Sequence, residues 1–150
     1  MLNISDYLKT GTLNGLRVGS SLLVVEEKLG ELDSNEKIYF DPSDRTAGFS
    51  IYREGVEYMF IDYQLYGINI DITNNQFCLN AHFQLSNHTP LSVMLAYLTL
   101  QNIEWSFYSK DTYDKSLAIQ LVSGVKLSYQ YNEDNELVLT SFYNYARIRA

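Results

Sequence analysis

Nothing in this sequence limits the fold more than a recurrence at an offset of 69 residues. Gly19–Asp33 (G-S-S-L-L-V-V-E-E-K-L-G-E-L-D) reads as one amphipathic helix, with Leu22, Val25 and Leu29 on one face at the 3.6-residue period. Ser20 is placed to cap its first turn, and Gly30 to end it in left-handed backbone. Adding 69 brings Thr89 onto Ser20 and puts Pro90 at the first helical position, where its missing N–H costs nothing. Leu91, Val93 and Leu98 then repeat Leu22, Val24 and Leu29. The register continues through Ile38-Tyr39 over Phe107-Tyr108, Gly55-Val56 over Gly124-Val125, Phe60 over Tyr129, and Ile68 and Ile70 over Leu137 and Leu139.

This pattern predicts an α+β fold in a single domain, residues 1–150, built as a tandem repeat. Pseudo-repeat 1 covers about 16–75 and pseudo-repeat 2 about 85–145. Each is a helix followed by about four antiparallel strands, with the helices packed on one face of the sheet. The alternatives are one curved sheet without a true repeat, or two unrelated α+β pieces of similar spacing. Opposite strand orders in the two halves would exclude the repeat.

Within that frame, Ser5–Lys9 reads as a short helix capped by Ser5. Lys37–Phe40, Gly48–Arg53, Val56–Tyr63 and Gly67–Ile72 read as strands of the first half. Glu54-Gly55 and Ser123-Gly124 are hairpin turns. Gln76–Gln84 alternates as one extra strand after the turn Thr73-Asn74-Asn75. Pro90–Gln101 is the second helix, more apolar than the first and so expected to be more buried. Glu104–Ser109, Leu117–Val122, Val125–Tyr131 and Glu136–Tyr145 complete the second half, and Arg147-Ile148-Arg149 forms a loose tail.

Charge narrows the partners. The chain carries 18 acidic and 11 basic side chains, a net charge of −7. Residues 1–75 hold twelve acids and six bases, residues 76–150 six and five. A phosphate backbone would be repelled, so nucleic acid is not an expected partner, whereas a basic protein is. One cysteine allows no internal disulfide. The opening Met1–Asp6 has neither a basic nor an apolar targeting region, and no apolar run reaches membrane-spanning length, so the expected location is the cytoplasm, without membrane contact.

No catalytic residue, metal ligand or cofactor site emerges. Cys78 and His82 on one straight strand would stand about 13 Å apart, far beyond the roughly 2.0–2.3 Å ligand bonds of zinc. Neither these nor His88 sits in a nucleophile motif. Asp41 and Asp44 flank a proline turn and Glu26-Glu27 lies on a helix, without sign of the cleft that acid–base chemistry needs. Gly11, Gly15 and Gly19 do not make a phosphate loop. What remains are surfaces. One is acidic: Glu26, Glu27, Glu31, Asp33, Glu36, Asp41 and Asp44. The other is an aromatic rim of Tyr63, Tyr66, Tyr113, Tyr143 and Tyr145, drawn from thirteen tyrosines in all. Acids steer a basic partner and tyrosines anchor it. Glu26, Glu27, Glu31, Asp33, Asp41, Asp44, Tyr63 and Tyr66 are therefore the expected partner-binding residues.

The helix also resembles a recurring bacterial pattern: glycine, serine, a gap, valine, leucine-glycine, then proline-aspartate. Here Gly19, Ser21, Val25, Leu29, Gly30 and Asp33 carry it, with Leu32 where the pattern has proline. Arg53–Phe60 is similar to the sheet segment that often follows. The combination resembles the tandem-repeat fold of β-lactamase-inhibitor-like proteins and small outer-membrane assembly lipoproteins, and small cytoplasmic proteins akin to immunity proteins of polymorphic toxin systems. The lipoprotein branch calls for a lipid-attachment cysteine near an N-terminal signal. The resemblance therefore implies a non-enzymatic immunity protein that neutralises a cognate, basic toxin by occluding its active site. Two other readings stand beside it: an assembly module that forms a homodimer through a strand edge, and a small-ligand binder or enzyme with a cleft between the repeats.

Overall fold

The computed structural model describes residues 1–74 and 77–146. Three helices occur there: α1 (Ser5–Thr10), α2 (Leu22–Leu29) and α3 (Leu91–Leu100). Strands β2 (Ile38–Tyr39), β3 (Phe49–Arg53), β4 (Val56–Ile61), β5 (Gln64–Asp71), β8 (Trp105–Phe107), β9 (Ser116–Leu121), β10 (Lys126–Tyr131) and β11 (Leu137–Tyr145) form one antiparallel sheet in the order β2-β3-β4-β5-β11-β10-β9-β8. A small second sheet joins β1 (Leu2–Asn3), β6 (Phe77–Asn80) and β7 (Phe83–Gln84). The α+β class with a large antiparallel sheet thus holds, and no helix among the described residues is long and apolar enough to cross a membrane.

The helix ends differ from expectation for long-range reasons. Gly19 and Ser20 exchange backbone hydrogen bonds with Leu65 of β5 (2.8 and 2.7 Å), so the chain is still extended there. Ser21, not Ser20, caps α2, its Oγ accepting from the Val24 N–H. Gly30 does end α2 with the positive φ expected of a glycine there (86°), but its ψ of 170° lies away from the left-handed helical conformation. Glu31–Asp33 therefore lies beyond the helix, and Asp33 caps the next turn, Ser34–Glu36. In α3 the cap position falls to Pro90 in extended backbone. Thr89 is buried instead, its Oγ1 accepting from the Ser86 N–H and its carbonyl from the Tyr129 hydroxyl. Ser5 is the first residue of α1, and its N–H donates to the Asn3 side chain.

The predicted strand Gln76–Gln84 bends at Ala81-His82, where the Asn80 side chain accepts from the His82 N–H. It becomes the β6–β7 hairpin, with β1 added parallel to β6. Asn75, Gln76 and the expected tail Arg147–Arg149 lie outside the described residues.

Each half of the large sheet is a meander that runs inward to the shared antiparallel pair β5–β11, where Ile70 faces Phe142. Bulges interrupt the ladders at Met59/Phe60 and at Ser128/Tyr129. The last hairpins differ. Tyr58 pairs with Ile68, but Leu127 pairs with Phe142, so the ungapped match of Ile68 and Ile70 to Leu137 and Leu139 is not kept by the ladders. The longer turn 132–136 takes up the difference.

Period-two alternation gives the sheet two unlike faces. Ile51, Val56, Tyr58, Phe60, Ile68, Ile70, Ile119, Leu127, Tyr129 and Phe142 point to one side and join Tyr7, Leu8, Val25, Met94 and Leu98 of the helices in a single core. As expected, α3 is the more buried helix, sinking Met94, Tyr97 and Leu98 where α2 sinks only Val25. The Tyr7 hydroxyl crosses this core to donate to the Ile68 carbonyl at 3.0 Å, and burial pushes its pKa well above the ordinary range. All three helices lie on that side.

Candidate functional site

The opposite face of the sheet is built from the alternate residues: Glu57 opposite Asn69, Met59 opposite Gly67, Ser128 opposite Ser141 and Lys126 opposite Tyr143. Across the central pair, Tyr145 stands opposite Gly67 and Tyr143 opposite Asn69. A β-carbon at residue 67 would come within 2.4 Å of the Tyr145 ring, so glycine is what lets that ring lie flat on the sheet. Tyr66 stacks on Tyr145 at 5.9 Å between centroids, and Tyr143 tilts against it at 5.5 Å.

The platform is pinned at its Tyr143 end. The Tyr143 hydroxyl donates to Asp111 Oδ2 at 2.5 Å. Burial, then this bond and the charge of Asp111, push the Tyr143 pKa far up, so Tyr143 is a fixed neutral phenol. Burial and then the Glu57 charge raise the Tyr145 pKa also. Lys126 Nζ sits 5.0 Å from the Tyr108 ring and 5.8 Å from the Tyr143 ring, and donates to the Gly124 carbonyl. On the other flank Glu57 accepts from the Ser50 hydroxyl at 2.7 Å. Beside the platform, Ser116, Ser128 and Ser141 with Tyr113 line a shallow depression of about 250 Å³. The result is a rigid aromatic strip between two carboxylates, edged by hydroxyls. It is suited to stacking and hydrogen bonding with a flat partner surface.

The expected binding residues divide. Tyr66, Tyr143 and Tyr145 form the platform, and Tyr113 lines the depression beside it. Tyr63 does not, since it stands 79 % exposed in the β4–β5 turn. Glu26 and Glu27 lie on α2, and Glu31 just beyond it. Asp33, Asp41 and Asp44 each hold their own turn: Asp33 accepts from Asn35, Asp41 from the Ser43 N–H and hydroxyl, and Asp44 from the Thr46 N–H and hydroxyl. The Ser43 bonds keep the Asp41 carboxyl below its usual range. These acids follow α2 and the loops beside edge strand β2 rather than ringing the tyrosines.

Sequence reasoning passed over Glu57, Gly67, Tyr108, Asp111 and Lys126 as site residues. Alternation does place Glu57 and Lys126 on the outer face, but only the β5–β11 pairing reveals that they flank one cluster. Cys78 is half-buried on β6, His82 and His88 are exposed, and no group of three or more metal-ligating side chains gathers among the described residues. No protein-family model, no curated protein and no solved structure matches this chain.

Proposed function

We propose that this chain is a non-enzymatic protein-binding inhibitor that docks a basic protein on the open face of its sheet. The immunity-protein resemblance makes the partner a cognate toxin whose active site is occluded. The observation that carries the reading is the pinned tyrosine platform of Tyr66, Tyr143 and Tyr145 between Glu57 and Asp111. Pre-ordered tyrosines lose little side-chain entropy on binding, and flanking carboxylates favour arginine or lysine from the partner. The acids of α2 and the β2 loops add a steering field at the edge.

A tandem origin underlies the platform in this proposal. The caps Ser21 and Pro90 and the bulges at Met59/Phe60 and Ser128/Tyr129 all keep the 69-residue offset. The strand order runs inward in both halves. The repeat would then supply β5 and β11, whose pairing assembles the tyrosines.

Affinity capture by the tagged protein from its native cells, at low and high salt, tests the reading. One stoichiometric basic partner should be retained at low salt and released at high salt. Tyr145→Ala should weaken it about 30-fold or more, as for a central interface anchor, and co-expression should rescue cells from the partner. A partner held equally by the variant, or no partner at either salt, would overturn it. A homodimer is the second reading, favoured by the exposed Phe107 on edge strand β8, with Leu100 and Val122 also exposed. A concentration-independent monomer in sedimentation would remove it.

A further inference from the structure

At one corner of the sheet the helical layer stops short and the inner, aromatic face comes to the surface. There Phe49 stacks on Phe60 at 5.0 Å and meets Tyr39 edge-on at 5.9 Å. These rings, with Leu22 at the start of α2 and the exposed Tyr63, line a cleft of about 400 Å³. That is within the size range of small-molecule sites. Gly48 forms part of its wall, and a β-carbon there would strike the Phe60 carbonyl. This cleft is separate from the tyrosine platform, which occupies the other face.

Its local charge is opposite in sign to the net charge of the chain. Lys37 Nζ lies 4.9 Å from the Phe49 ring and the Arg45 guanidinium 5.0 Å from the Tyr39 ring. Among the described residues the ion pair is Arg53 with Glu36, and Lys37 and Arg45 have rings as neighbours instead of carboxylates. Asp62 is the one acid in the lining, which leaves one positive charge in excess on a chain of net charge −7. Two cations poised over aromatic rings at the mouth of an apolar cleft match a ligand that is flat and apolar at one end and singly negative at the other. The Arg45 fork can take both oxygens of a carboxylate, while Lys37 offers a point charge beside it.

We propose that the cleft lined by Tyr39, Phe49, Phe60 and Tyr63, with Lys37 and Arg45 at its mouth, binds a small aromatic carboxylate. The ring enters the cleft beside Tyr63, and the carboxylate pairs with Arg45 and Lys37.

The test is a backbone-amide NMR titration of the full chain with naphthalene-2-carboxylate, and separately with the neutral naphthalene-2-carboxamide. The carboxylate should give saturable shifts centred on residues 37–49 and 60–63, and bind roughly tenfold or more tightly than the carboxamide. Arg45→Gln removes an exposed charge and Lys37→Gln a half-buried one, both outside the core, and each should weaken the carboxylate several-fold while leaving the carboxamide unchanged. Equal binding of the two compounds, shifts centred on the tyrosine platform instead, or no saturable shift up to about 10 mM would overturn the proposal.

Discussion

At residue scale the open face turns on Gly67. A glycine inside a strand ordinarily weakens it, and replacing it by alanine gains roughly 0.5–1 kcal/mol. Here the sign should reverse. The new methyl would meet both the Tyr145 ring and the Met59 methyl, at 2.4 and 2.8 Å. Gly67→Ala should therefore destabilise the protein by about 1–3 kcal/mol, the usual cost of forced overpacking. The same substitution in a Tyr145→Ala background should cost less, because the ring that it strikes is gone. Urea unfolding of the four proteins of this cycle measures the difference. An additive cycle would mean that Tyr145 does not rest on residue 67 in solution.

At the scale of elements, Arg53 of β3 ties three pieces together. Its Nη1 donates to the Leu29 carbonyl at the end of α2, while Nε and Nη2 donate to the two carboxylate oxygens of Glu36. Glu36 also closes the capping box, accepting from the Asp33 N–H. The Arg53 bond first, and then the Asp33 bond, lower the Glu36 pKa to about 2. A carboxyl with a lowered folded pKa adds stability above its unfolded pKa of roughly 4.3. That contribution fades as pH falls toward 2. The urea midpoint of the wild type should thus exceed that of Glu36→Gln at pH 7, and the gap should close between about pH 4.3 and 2. High salt should narrow it as well, since the pair is partly exposed. A gap that is unchanged at pH 2 would show that neither bond depends on the charge.

These elements also show how far the sequence could be read. The apolar face of α2 and the stop at Gly30 were legible because both are local. The choice of Ser21 over Ser20 as cap was not, because the Gly19 and Ser20 backbone is claimed by Leu65, more than forty positions on. Alternation could not be followed along β11, where the bulge puts the buried Leu139 and Phe142 three positions apart, so the shift that pairs Leu127 with Phe142 was hidden. The tyrosine platform joins Tyr66 to Tyr143 and Tyr145, and no local signal announces that β5 and β11 are neighbours. Asp41 and Asp44 stand out in the sequence as loop acids, but the bonds by which they hold their turns, to Ser43 and Thr46, show only in the structure.

For the whole molecule, the question is whether the two halves of the large sheet behave as one unit. Among the described residues β5–β11 is the ladder that joins them, yet other bonds cross as well. The Ser123 hydroxyl donates to the Leu8 carbonyl, and the Tyr7 hydroxyl to the Ile68 carbonyl. Helix α1 therefore binds both sides of the divide, and the core residues of both halves form one cluster. Such coupling predicts a single cooperative transition. The one tryptophan, Trp105, is a convenient probe because it lies on β8, the outermost strand of the second half. Its fluorescence and the far-UV circular dichroism should lose signal at the same urea concentration. Amides of β5 and β11, shielded on both sides, should exchange slowest, and those of the short edge strands β2 and β8 fastest. An earlier midpoint for Trp105 with protection still intact in β3–β5 would show instead that the first half stands alone. The open-face platform would then exist only while β11 stays paired to β5, and the partner binding proposed for it should fail at the lower of the two midpoints.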